Sequence, residues 1–120
     1  MSPLTDFRDL EVWQTAMDLA VLILRAAPLL PADERFGLAS QLRKAGISIP
    51  SNVAEGYGRG SRPDYLRFLH IARGSSNEVV TLLLLCERMD YLSPDIVGPI
   101  FTTNNRVQAM LYRLMVSLRH

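Results

Sequence analysis

The chain has 120 residues, 48% hydrophobic and 21% charged, enough for one domain with its own core and an ordinary balance for a globular chain. Its single cysteine, Cys86, excludes an internal disulfide, and with no CxxC or Cys/His cluster there is no zinc framework, so neither metal nor cofactor is expected. The formal net charge of +1 excludes a uniformly basic or acidic chain but hides a regional imbalance.

The first helix is predicted over 10–27, with Asp9 as N-cap and Pro28 as the stop. Leu10, Trp13, Met17, Ala20, Leu24 and Ala27 recur in steps of three and four, the spacing of a core stripe. Val12, Ala16, Leu19, Ile23 and Ala26 form a second stripe with the same spacing. One apolar face is enough for a bundle helix, so the second stripe either sits deep in the bundle or marks a subunit interface.

The second helix is predicted over 32–57, with Leu38, Leu42, Ala45, Ile49 and Val53 facing inward. Its many small residues allow close backbone approach at a cost in helix propensity. Pro50 removes one intrahelical hydrogen bond, which predicts a kink near 46–50 and not a stop, with Ser48 and Ser51 available to the freed backbone groups. A turn at Gly56–Gly60 follows. Ser61-Arg62-Pro63-Asp64 is a helix-start signal, an N-capping serine with an acid three residues on and proline in the first turn.

The third helix is predicted over 62–89. Tyr65, Leu69, Ala72, Ser76, Val79, Leu83 and Cys86 make one seam; Phe68, Ile71, Ser75, Glu78, Leu82, Leu85 and Met89 make another, with Glu78 an anomaly inside it. The fourth is predicted over 94–118, capped by Ser93, with Ile96, Ile100, Thr103, Val107, Met110 and Leu114 at heptad spacing. Gly98-Pro99 weakens its first turns, so its ordered start could fall as late as Ile100. Three short connections between long helices imply a single-domain, all-α, antiparallel up-down-up-down four-helix bundle.

Met1–Asp6 lacks a basic segment followed by an apolar core, so no secretion signal is expected and the default location is cytoplasmic. The uninterrupted apolar runs fall short of the ~20 residues that span a bilayer, so no membrane partner is expected.

Charge is regional. Residues 1–34 carry two arginines against six acids, net −4, whereas residues 35–73 carry seven bases against Glu55 and Asp64, net +5. Arg43, Lys44, Arg59, Arg62, Arg67 and Arg73 are the candidates for a basic surface on helices 2 and 3, which would contact nucleic acid through its backbone, or they disperse as solvated charges. Tyr57 is the nominated stacking residue. The loop Gly56-x-Gly58-x-Gly60 follows a helix and not a strand, so it fails as a dinucleotide fingerprint. It does lead into a helix N-terminus flanked by Arg59 and Arg62, where an anion is favoured.

Asn52, Glu55 and Glu78, with Arg43 or Arg73, have the residue types of a buried polar network that would fix register or assembly. His70 and His120 lie at no triad-like spacing, and no Glu-x-x-His di-iron signature is present, so no catalytic residue and no enzyme activity is expected.

Phe7-Arg8-Asp9-Leu10-x-Val12-Trp13-Gln14-x-Ala16, Phe36-Gly37-Leu38-x-x-Gln41-Leu42-Arg43-Lys44-Ala45, Ser48-Ile49-Pro50-Ser51-Asn52-Val53-Ala54-Glu55-Gly56 and Phe68-Leu69-x-Ile71-Ala72-x-Gly74-Ser75-x-x-Glu78 together resemble the four-helix-bundle proteins of 23S ribosomal RNA intervening sequences. The resemblance covers roughly residues 7–92. It implies a ring-like homo-oligomer, a pentamer, and, by association with the related accessory variability protein of diversity-generating retroelements, RNA or DNA binding without catalysis. By position it carries the basic role to Arg43, Lys44, Arg59, Arg62, Arg67 and Arg73, and the family's polar positions to Asn52, Glu55 and Glu78. The alternative is a protein-interaction scaffold whose bases pair with a protein partner or with acids of the adjacent subunit.

Overall fold

A computed structural model describes residues 6–119; the residues 1–5 read for a secretion signal, and His120, lie outside them. Four helices, α1 (Glu11–Ala26), α2 (Leu38–Tyr57), α3 (Arg62–Arg88) and α4 (Pro94–Leu118), form an up-down-up-down bundle of about 45 × 25 × 20 Å. Each helix packs on its chain neighbours and α1 closes on α4, while α1 and α3, like α2 and α4, are diagonal and do not pack on each other.

Local signals set most boundaries. Ser61 is extended and its hydroxyl accepts a hydrogen bond from the Asp64 N–H, with Pro63 in the first turn, so α3 begins where its cap predicts. The α4 start at Pro94 is fixed by Ser93 and Pro94, and Gly98-Pro99 does not delay it. At the C-terminus of α3, Asp90 takes a left-handed φ of 57°, and the Tyr91 N–H returns to the Cys86 carbonyl at 2.8 Å, closing the helix.

Two predicted starts move. Asp9 does not cap α1. Asp6 accepts from the Arg8 N–H at 2.8 Å and caps a single 3-10 turn, Phe7–Asp9, after which extended Leu10 opens α1 without a side-chain cap. The second helix starts at Leu38 and not at 32, because Ala32–Glu34 is a separate 3-10 turn and Gly37 (φ −104°, ψ −111°) breaks the helical path. Glu34 bridges the break by accepting from the Leu38 N–H at 3.2 Å.

The second stripe of α1 is fully buried, and the expected core stripe is covered only in part, at Leu10, Ala20 and Ala27. Val12, Ala16, Leu19, Ile23 and Ala26 are buried, whereas Met17 and Leu24 of the expected core stripe are exposed beside Val21. Ile23 decides the phase: its side chain lies 3.0 Å from where a Cβ on Gly46 would stand, so α1 crosses α2 at a glycine that admits it. The span Glu11–Leu29 is long and apolar enough, by length and composition, to cross a membrane, and 44% of it is buried within the bundle, where it supplies core.

On α4 the buried seam is Val97, Ile100, Asn104, Val107, Leu111 and Met115, largely one position on from the expected one. Asn104 holds this phase. It accepts from the Ser76 hydroxyl at 2.7 Å and donates to the Ser76 carbonyl at 3.1 Å, so a residue that looks like surface is satisfied inside the core. On α3 the seam from Leu69 to Cys86 is buried as expected, while Ile71, Glu78, Leu85 and Met89 of the other seam face solvent.

α2 runs unbroken through Pro50. Ser51 donates to the Ile47 carbonyl at 2.8 Å, and Ser48 accepts from Asn52 and from Ser75, so neither serine turns to the carbonyl that Pro50 leaves free.

Candidate nucleic-acid interface

The end of the α2–α3 hairpin is built by close approach and a tight turn. A Cβ on Gly56 would stand 2.9 Å from the Phe68 Cβ and 3.1 Å from the Tyr65 ring, so only glycine lets α3 start this close to α2. The Gly58 N–H donates back to the Ala54 and Glu55 carbonyls, and Gly60 takes a φ of 83°, a left-handed conformation that favours glycine. Three arginines sit at this end: Arg59 in the turn, Arg62 at the first position of α3, and Arg67 one turn and a half further on.

Phe68 organises two of them. The guanidinium of Arg59 lies 4.9 Å and that of Arg67 4.4 Å from its ring centroid, both within cation–π range. Each is also loosely paired, Arg59 with Glu55 and Arg67 with Asp64, both at 3.6 Å. Exposed pairs of this kind stabilise by about 0–1 kcal/mol and yield readily to a stronger anion.

Tyr57 is not free to stack on a base. It ends α2 half-buried, its ring edge-on to Tyr65 at 6.1 Å. The Tyr65 hydroxyl is buried without a partner among the described residues, and burial pushes its pKa up to about 12.

The six candidate bases do not make one surface. Arg43 lies near the start of α2 and Arg59 just past its end; the fourteen residues from Arg43 to Tyr57 alone span about 21 Å at 1.5 Å per residue. Arg43 points the other way along the bundle: it donates to the Arg35 carbonyl at 3.4 Å and lines, with Arg35, Pro28 and Pro31, a cleft of about 420 Å³. Lys44 is exposed beside it. Arg73 stands apart, near the level where Ser75 meets Ser48. Only Arg59 and Arg67 are brought together, on the Phe68 ring, with Arg62 between them in the chain at the first position of α3.

The expected buried network of Asn52, Glu55 and Glu78 is not formed either. Glu55 and Glu78 are exposed, and Asn52 is half-buried and donates to the Ser48 carbonyl and hydroxyl. Register explains the separation. Gly56 meets Phe68, so Glu55 is level with the start of α3, whereas Glu78 lies ten residues, about 15 Å, beyond Phe68. Polar contacts that do cross between helices include Ser48–Ser75 at 2.8 Å, Ser76–Asn104, and Asn77–Gln108 at 3.0 Å. In the sequence Ser75 and Ser76 stand only as seam positions, and the signal for the contact with α4 is Asn104, four residues after Ile100 and three before Val107.

The model of the 23S rRNA-intervening sequence protein family matches residues 8–113. Among solved structures, the chain is similar to a protein of unknown function from the S23 ribosomal protein family of Bacteroides thetaiotaomicron. That likeness has a TM-score of 0.81 and 25% identity and covers 87% of this chain and 97% of the other. No curated protein matches the chain. With a family model spanning the bundle from the turn before α1 to the last turns of α4, and a solved relative superposing along nearly its whole length, the chain belongs to the 23S rRNA-intervening sequence protein family.

Proposed function

We propose that this protein is a non-catalytic subunit of a homo-oligomer that binds structured nucleic acid, RNA or DNA, through the arginine end of the α2–α3 hairpin. The observation that carries the binding is the grouping of Arg59, Arg62 and Arg67 around one glycine-rich turn, two of them held over Phe68. Guanidiniums held in this way are suited to phosphate oxygens, and their ion pairs are weak enough to exchange. Assembly is supported by apolar side chains exposed on two separate helices, Met17, Val21 and Leu24 on α1 and Ile71, Leu84 and Leu85 on α3. The non-catalytic reading rests on the separation of Glu55 and Glu78, both exposed, which leaves them unable to act as a carboxylate pair.

A scaffold that binds only protein is the second reading, favoured by the acids Glu55 and Asp64 already facing Arg59 and Arg67. Gel-shift titration with a structured RNA and a DNA duplex at several salt concentrations separates the two. Wild type is expected to bind at low salt, and Arg59→Ala/Arg62→Ala to reduce the slope of log affinity against log salt by about 2, one for each lost phosphate contact. Absence of binding at low salt overturns the nucleic-acid reading; an unchanged slope removes these arginines from the interface.

A further inference from the structure

We propose that copies of this chain join head to tail, the outer face of α1 docking on the outer face of α3 in the next copy, with Met17 on Ile71, Val21 over Gly74 and Asp18 paired to Arg73. This rests on the assembly half of the proposed function and specifies its contact. α1 and α3 are diagonal in the bundle, so their outer faces are separate surfaces, and a contact between them is heterologous.

Register within one chain predicts which residues meet. Ile23 lies against Gly46, and Ser48 bonds Ser75. Stepping across α2, Ile23 is therefore level with Asn77, and every α1 position with the α3 position 54 residues later. Neighbours related by rotation about an axis along the bundle keep the same height and direction, so level residues face each other. Met17 is level with Ile71, and both are about two-fifths exposed. Val21 is level with Ser75, beside Gly74. Asp18 is level with Ala72, beside Arg73.

The sides match as well as the heights. At 100° per residue, Met17 leans to the side of α1 that meets α2, and Ile71, one turn before Ser75, leans to the α2 side of α3. Asp18 shares the α4 side of α1 with Leu22 and Arg25, and Arg73 precedes by one turn Asn77, which bonds Gln108 of α4. Rotation brings α2 side to α2 side and α4 side to α4 side across the junction. The apolar pair and the charge pair are then satisfied together.

Two features have no use within one chain. A Cβ on Gly74 would meet nothing within 4 Å, although glycine in the interior of a helix costs about 1 kcal/mol relative to alanine. Close approach of a second backbone at Val21 gives that glycine a purpose. Asp18 and Arg73 are exposed, and among the described residues neither has an ion-pair partner.

Sedimentation equilibrium on wild type, Asp18→Arg, Arg73→Asp and the double exchange tests the contact, with far-UV circular dichroism to verify that each is folded. Wild type is expected to exceed the 13.5 kDa of one chain, each single reversal to fall to it, and the double exchange to recover the wild-type mass. A Met17→Cys/Ile71→Cys variant is expected to give an intermolecular ladder on oxidation. A wild-type monomer overturns both this contact and the proposed assembly. An oligomer that is indifferent to the single reversals, is not restored by the exchange, or gives no ladder overturns this contact alone; nucleic-acid binding is judged separately by the gel shift.

Discussion

The Tyr65 hydroxyl is the only buried side-chain polar atom, among the described residues, with no hydrogen-bond partner. A hydroxyl in that position loses its water without compensation, so Tyr65→Phe is expected to stabilise the fold by about 1 kcal/mol in urea denaturation. The same burial raises its pKa from 10.0 to about 12. A raised folded-state value means that the protonated form is favoured in the folded chain, so stability holds below pH 10 and is lost as pH climbs towards 12. Denaturation midpoints at pH 9 and pH 11 are therefore expected to diverge more for wild type than for Tyr65→Phe; a parallel decline contradicts the burial. Asn104 is the opposite case, buried and satisfied. Asn104→Ala strands the Ser76 hydroxyl inside the core and is expected to cost about 2 kcal/mol or more, read as a lower urea midpoint. The seam spacing points Tyr65 inward but does not show that its hydroxyl lacks a partner, and asparagine in mid-helix reads as surface until a neighbouring helix covers it.

Helix limits follow from local chemistry, and helix phase does not. Ser61, Pro63 and Asp64 place the start of α3 because a cap and a first turn involve only adjacent residues. The two stripes of α1 share one spacing, so periodicity alone leaves them equivalent; the distinction comes from Gly46, 23 residues further along the chain and directly against Ile23. Two helix glycines test this. At Gly46 an added Cβ meets Ile23 side-chain atoms at 3.0 Å, so Gly46→Ala is expected to lower the urea midpoint despite the helix propensity of alanine. At Gly74 the space is open, so Gly74→Ala is expected to raise the stability of the single chain by about 1 kcal/mol. Equal shifts of the same sign at both positions contradict the packing.

Over the whole molecule, the acidic first third and the basic middle of the chain were legible as a gradient, but their arrangement was not. Register sends Arg43 and Arg59 to opposite ends of α2 and parts Glu55 from Glu78, whereas Arg59 and Arg67 converge on Phe68 because the tight turn brings the start of α3 against the end of α2. The proposed assembly would multiply this small cluster: several arginine ends on one particle would bind a long anion with far greater avidity than one. Anisotropy titration of a labelled structured RNA with wild type and with Asp18→Arg, at low and moderate salt, tests the coupling of assembly to binding most directly. The account predicts that wild type binds at least about 100-fold more tightly than the dissociated variant, with the steeper salt dependence. Equal affinities, or no binding by wild type at low salt, would contradict it.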